Sequence, residues 1–236
     1  MAQPTVKRFY KEVSVGEADG GFAVLLDGRP LKTPSRSAFA LPNRALAEAV
    51  AGEWRAQADE IDPQTMPLTR LVNTAIERVP ANRAPVAEQT LAIGKSDLLC
   101  YRAEAPHTLV ARQVEMWDPV LDWLHQRHGA RLAVTQGIQF VQQPAEAQMA
   151  LEMAVWGHDD FMLTGISAAA SILGSLVLAL ALAENRLSAK EAFRLATLDE
   201  AFQTERWGAD AEAEARLDRL AAELAAIERF FALLRA

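Results

Sequence analysis

The run 165–183 contains no charged residue, and it constrains the fold more than any other part of the chain. It is about as long as a bilayer's hydrocarbon layer requires, so it either crosses a membrane or fills the middle of a protein core. Ser167, Ser171, Ser175 and Gly174 dilute it, eight of its residues are alanine or glycine, and no aromatic or basic belt brackets it. The expectation is a buried central helix, with no stable membrane insertion.

A helix buried on all sides needs a shell of amphipathic neighbours, and the flanking sequence supplies them. Helices are expected over about 145–156, 159–184, 188–206 and 209–234, with Ser188 and Glu191 as a capping box. The last carries Leu217, Leu220, Leu224, Ile227, Phe231 and Leu234 on one stripe. Upstream, Asn43 can cap a helix in which Leu46, Val50, Trp54 and Ile61 recur, ending before Pro63. A second begins at Pro67 and stops at Pro80, and a third covers about 84–93. A longer one runs from Leu109 through Trp117 to Gly129, with Pro119 expected to kink or restart it.

The N-terminal part reads differently. Phe22 to Leu26 are apolar and precede Asp27 and Gly28, a pair that tolerates the positive φ of a tight hairpin turn. Pro30 and Pro34 make the return segment an edge or interrupted strand. Short strands are also expected at 98–102 and at either 132–134 or 140–141. The fold class is α+β: a small N-terminal β-rich domain with flanking helices over 1–85, then a larger helical domain over 86–236.

The formal net charge of −7 argues against a nucleic-acid partner, because no basic cluster offsets it. Cys100, the single cysteine, lies in an apolar stretch and reads as a buried thiol of a reducing compartment. The first fifteen residues show neither a secretory signal nor an evident transit peptide, so a cytoplasmic location is expected.

No motif-defined enzyme class has a foothold. Gly94, Lys95 and Ser96 resemble the end of a phosphate-binding loop, but position 89 is Gln89 where that loop needs glycine. His125 and His128 lie near a helix end without a third and fourth metal ligand. His158, Asp159 and Asp160 read as a helix N-terminus. The most unusual combination is Glu200, Gln203 and Trp207, which share one helical face before Gly208, with Asp199 beside them. A tryptophan next to a fixed carboxylate is the material of an interface anchor, although a solvated face would have the same spacing.

Several segments in order carry a resemblance: Arg8, Phe9, Tyr10 and Lys11; Leu26 through Pro34; Glu53 and Trp54; Ser96 through Arg102; Gly165 and Ile166; and Leu198, Asp199, Glu200 to Trp207 and Gly208. Together, across roughly 8–208, the chain resembles the assembly chaperones of the ATP synthase F(1) sector that are dedicated to the alpha subunit. The resemblance implies a non-catalytic protein, without cofactor or metal, that binds the free alpha subunit before it meets beta and is a monomer when free. It implies a bacterial cytoplasmic protein, or a mitochondrial matrix one if the sequence is a processed eukaryotic form. Carried over by motif, the partner-binding residues are Glu200, Asp199, Gln203, Trp207, Trp54 and Asp97. Position 199 is aspartate where the family pattern implies glutamate, which puts the weight on Glu200. The rival expectation is a small-molecule enzyme using carboxylates such as Asp97 and Glu200 in an interdomain cleft.

Overall fold

The computed structural model describes residues 6–208 and 210–236, and the class is α+β. Two compact units form: one from the first 83 residues with 160–164 and 229–236, the other from 84–159 and 165–228.

The first unit is built on an antiparallel meander. Strand β1 is Val6–Lys7, β2 is Val13–Ala18, β3 is Gly21–Leu26, β4 is Arg29–Pro30 and β5 is Ala40–Leu41. Strand β3 is central: it pairs along its whole length with β2, and its two ends pair with β4 and β5. The expected turn is there, with Asp27 at φ 48° and Gly28 at φ 76°, the left-handed pair of a two-residue hairpin. Pro30 confines the return strand to two residues. The larger partner, β2, was not anticipated from the sequence.

Helix α1, Arg44–Arg55, lies on β2 and β3 and buries Leu46, Ala47, Val50 and Ala51. Asn43 caps it as expected, accepting from the Leu46 amide at 2.9 Å. Its side-chain amide also donates to the Leu233 carbonyl at 2.8 Å, so one residue holds two helix ends. Ile61 is not in this helix. It belongs to strand β6, Glu60–Ile61, paired with β1. Helix α2, Pro67–Asn73, does not stop at Pro80 either. A widened turn over Thr74–Arg78, in which the Val79 amide reaches back to the Thr74 carbonyl, leads into α3, Val79–Ala81. The wider turn accommodates a proline ring that would clash in a regular one. Val24, Leu41, Leu46, Val50, Leu68, Val72 and Phe230 form the dry centre of the unit.

Helix α4, Arg83–Lys95, lies in the second unit from Ala84 on, and strand β7, Tyr101–Arg102, follows a tight turn at Leu98–Cys100 rather than a longer strand. Helix α5, His107–His128, runs unbroken through Pro119 and ends at Gly129 with φ 74°. Strand β8, Thr135–Gln136, pairs parallel with β7 and falls between the two expected positions. Helix α6 is Ala145–Trp156. The apolar run is two helices rather than one: α7, Asp160–Leu173, and α8, Leu176–Ala183, broken at Gly174, where φ is 61°. Every residue of α8 is buried, so the central-helix expectation holds for this half. Among the described residues no helix is long and apolar enough to cross a membrane. The expected helix over 188–206 also divides, into α9, Ala189–Ala196, with the predicted capping box, and α10, Leu198–Trp207. Helix α11 is Ala211–Leu234.

Gly94 has a packing reason. A Cβ there would stand 2.8 Å from Leu176 Cδ2 and 3.2 Å from Leu151 Cδ1, so the glycine lets α4 approach α8 and α6. Gly94→Val is expected to lower stability in urea unfolding by about 1–3 kcal/mol through overpacking. Gly94→Ala should cost less, because a helix-propensity gain of about 1 kcal/mol offsets a smaller clash.

Candidate functional site

The segments of the family resemblance fall into two groups: those that lock the fold and one that faces solvent. In the first unit, Asp27 Oδ1 accepts from the Lys11 and Glu12 amides at 3.0 and 2.8 Å. These bonds hold the Asp27 carboxyl below its usual range and fasten the hairpin to the strand before it. Arg8 donates to the carbonyls of Tyr10 and Gln57, and the Tyr10 hydroxyl donates to the Trp54 carbonyl at 2.8 Å. Glu53 caps α2 with both oxygens, accepting from the Leu68 and Thr69 amides and the Thr69 hydroxyl at 2.7–2.8 Å. Trp54 itself is half-buried against Tyr10. An open groove of about 500 Å³ beside these residues is lined by Phe9, Leu26, Asp27, Arg29, Pro30 and Lys32, with Phe9 67% exposed.

In the second unit Asp97 has no exposed surface. Its Oδ1 accepts from the Leu99 amide at 3.1 Å and the Ser175 hydroxyl at 2.7 Å, and its Oδ2 from the Val177 amide at 3.0 Å. One carboxylate thus caps the turn at Leu98–Cys100 and, with Ser175, the first turn of α8. Burial nevertheless pushes its pKa up to about 6, the hydrogen bonds opposing the shift. Burial, with the Asp97 charge behind it, pushes the Cys100 thiol up to about 12, which makes it an inert core group. Arg102 bonds Asp118 at 2.7 Å and the Leu99 carbonyl at 3.1 Å, over the Trp117 ring. Asp97 therefore cannot touch a partner directly. Its part is to hold the helical unit together.

Helix α10 buries Leu198 and Phe202 and turns Glu200, Gln203 and Trp207 outward, with Trp207 77% exposed. These three share one exposed face, whereas Trp54 belongs to the first unit and Asp97 lies in the core of the second. Asp199 is half-buried and accepts from Gln113 Nε2 at 2.8 Å, which ties α10 to α5. Gln113 Oε1 in turn accepts from the Ala103 amide at 2.8 Å. Glu200 pairs with Arg216 Nη2 at 3.0 Å, an exposed pair worth well under about 1 kcal/mol and easily exchanged for another cation. Arg112 and Glu205 make a second such bridge at 2.9 Å.

The dismissed motifs have structural roles. Gly94 and Lys95 lie in the last turn of α4, and His128 Nε2 stands 2.7 Å from Glu184 Oε1. Among the described residues no group of histidine, cysteine and carboxylate side chains is arranged to hold a metal ion. The exposed apolar side chains Phe9, Ile138, Phe140, Met149 and Met153 were missed as candidates. Apart from Phe9 they belong to no quoted segment, and periodicity alone assigns such residues to a core.

A profile of the ATP12 chaperone protein family matches residues 7–125, and the crystal structure of Atp12 from Paracoccus denitrificans superposes with a TM-score of 0.93. The two chains are 43% identical, and the match covers 96% of this chain and 97% of that one. The chain belongs to the ATP12 chaperone family. A mutant of the P. denitrificans Atp12p matches equally well, and the mitochondrial protein atp12 of Schizosaccharomyces pombe is 24% identical over 220 residues, which span 88% of this chain and 76% of that protein. ATP12 membership sets the coarse function, a chaperone role in ATP synthase assembly. The profile match ends within α5, whereas the structural match extends over nearly the whole chain and so takes in most of the helical bundle.

Asp97→Asn keeps one acceptor but turns an N–H₂ toward the Val177 amide, and is expected to cost about 1–3 kcal/mol. The folded-state pKa of about 6 lies above the ordinary aspartate value of 3.8, so the native state holds the proton more tightly. Its contribution to stability is fully present below about pH 4 and is lost as pH rises through about 6. Urea unfolding from pH 4 to 7 should show this decline in the wild type and not in the variant. Parallel pH profiles would remove Asp97 as the cause.

Proposed function

We propose that the chain binds the free alpha subunit of the ATP synthase F(1) sector and shields its intersubunit surface until beta arrives, without catalysis and without a cofactor. The observation that carries this reading is the outward face of α10, where Trp207 stands 77% exposed beside Gln203 and Glu200. A large exposed aromatic next to a carboxylate fits an anchor for an apolar patch with a basic neighbour. Asp199, held by Gln113, fixes the helix that presents them.

Unpartnered subunits expose apolar surface, and such patches drive misassociation. Covering the patch reversibly needs no bond-making step. Release follows when beta competes for an overlapping surface with higher affinity, a shift of equilibrium that consumes nothing. Glu200 already accepts Arg216, so a client arginine or lysine would exchange one exposed ion pair for another at little cost. Trp54 is half-buried and contributes, on this reading, by holding the wall beside Phe9. On this reading the protein is a monomer when free and works in the cytoplasm of a bacterium, or in the mitochondrial matrix if the sequence is a processed eukaryotic form. The enzyme alternative loses one of its two carboxylates, because Asp97 is sealed in the core.

Co-expression with the alpha subunit alone tests this. Wild type is expected to keep alpha soluble in a complex seen by size exclusion. Trp207→Ala should weaken that complex by about 2 kcal/mol or more, roughly thirtyfold, as loss of a central anchor does. Glu200→Lys should weaken it further than Glu200→Gln, with all three variants folded by circular dichroism. Alpha that aggregates equally with and without the protein would refute the assignment.

A further inference from the structure

Helix α6 carries apolar side chains on two opposite sides, one buried and one exposed. Ala147, Ala150, Leu151 and Val155 face the core and are buried. Met149 and Met153 lie four residues apart on the opposite side, at 60% and 69% exposure. The fold does not demand these residues. Glutamine or lysine forms helix as readily as methionine, and either would spare the unit an exposed apolar stripe. A helix apolar all round is ordinarily covered.

The chemistry of the missing cover follows from the rim. The helix contains no lysine or arginine, and its charged residues, Glu146 and Glu152, are both exposed carboxylates. Such a stripe favours an apolar segment flanked by cations and disfavours one flanked by carboxylates. A second copy of this face would set the same carboxylates against one another, which argues against self-association. Methionine side chains are flexible and polarisable, and they suit surfaces that bind loosely and adapt.

We propose that the outer face of α6 is a docking stripe for an amphipathic helical segment of the client protein, apolar on one side and flanked by lysine or arginine. The inference rests on the chaperone reading, since a client is needed to supply the segment. It adds a second surface to the one on α10.

The full chain can be titrated with two labelled helical peptides that share leucines at i, i+3, i+4 and i+7 and differ in flanks, one lysine and one glutamate. The lysine peptide is expected to bind about tenfold or more tightly than the other. Met149→Gln with Met153→Gln should reduce that affinity about tenfold, with the unfolding midpoint unchanged. Glu146→Lys with Glu152→Lys should reverse the preference between the peptides. Equal binding of both peptides, or binding indifferent to the methionine pair, overturns the proposal. So does a wild-type dimer by light scattering that the methionine variant dissolves, because a second copy then covers the face. The same variant co-expressed with the alpha subunit separates the two readings. If it protects alpha as well as wild type does, the stripe falls and the chaperone assignment stands. If wild type fails with alpha while the peptides obey the pattern, the stripe stands and the client is another protein.

Discussion

The Asp97 carboxylate, buried between the end of α4 and the start of α8, is the interaction on which the helical unit depends. An apolar run of this length forms one helix unless something satisfies the amides freed by a break. Gly174 allows the chain to turn, and Ser175 and Asp97 then receive the amides of Leu178 and Val177 at 3.0 Å each. The restart lets α8 set off in a new direction and become the wholly buried centre of the bundle. A charge in that position is costly, which the upward pKa shift records. What tolerates it is the convergence of backbone amides at a helix N-terminus, where negative charge is favoured.

The same logic explains what was legible in the sequence and what was not. Signals complete within a few residues were read correctly: the Asp27 and Gly28 turn, the Asn43 cap, the Ser188 and Glu191 box, and the Gly129 stop. Each satisfies its own backbone groups locally. Features that depend on a distant partner were missed. Strand β2, interrupted by Gly16 and Glu17, has no clean alternation and exists because β3 pairs with it. Ile61 fits a helical stripe by spacing, yet α1 ends at Arg55 and Ile61 pairs with Val6 instead. The break before α8 needs Asp97, seventy-eight residues away from Ser175. The returns of 160–164 and 229–236 to the first unit rest on contacts such as Asn43 with Leu233, which no local pattern encodes.

The residues by which the chain resembles its relatives are, for the most part, fold determinants. Arg8, Tyr10, Asp27, Glu53, Asp97 and Arg102 each make specific polar contacts inside one unit, and most of them cap or clamp an element end. A side chain so engaged has few alternatives, because leaving its partners unpaired costs about 1–3 kcal/mol. Recognition by motif therefore finds the scaffold more readily than the working surface. Glu200 and Trp207 stand out by their shared helical face and lie within the Leu198 to Gly208 segment of the resemblance. Met149 and Met153 follow an ordinary helical period, and only their exposure separates them from the core residues they imitate.

A chaperone that must yield its client has reason to keep those surfaces soft. Under the proposed function, affinity beyond what beta can overcome would trap the subunit, and a single large, dry interface tends toward that outcome. The visible features lean the other way: exposed ion pairs that exchange partners cheaply, methionines that pack without a fixed shape, and carboxylates that select by charge. Charge complementarity raises encounter rate and rejects wrong partners more than it deepens binding. A net charge of −7 over the whole chain disfavours approach to other acidic surfaces at long range. Rigid cores beneath these faces then do the remaining work. Asp97 and Asp199 fix the elements that carry the outward residues, so that on the proposed reading binding orders little beyond the side chains themselves.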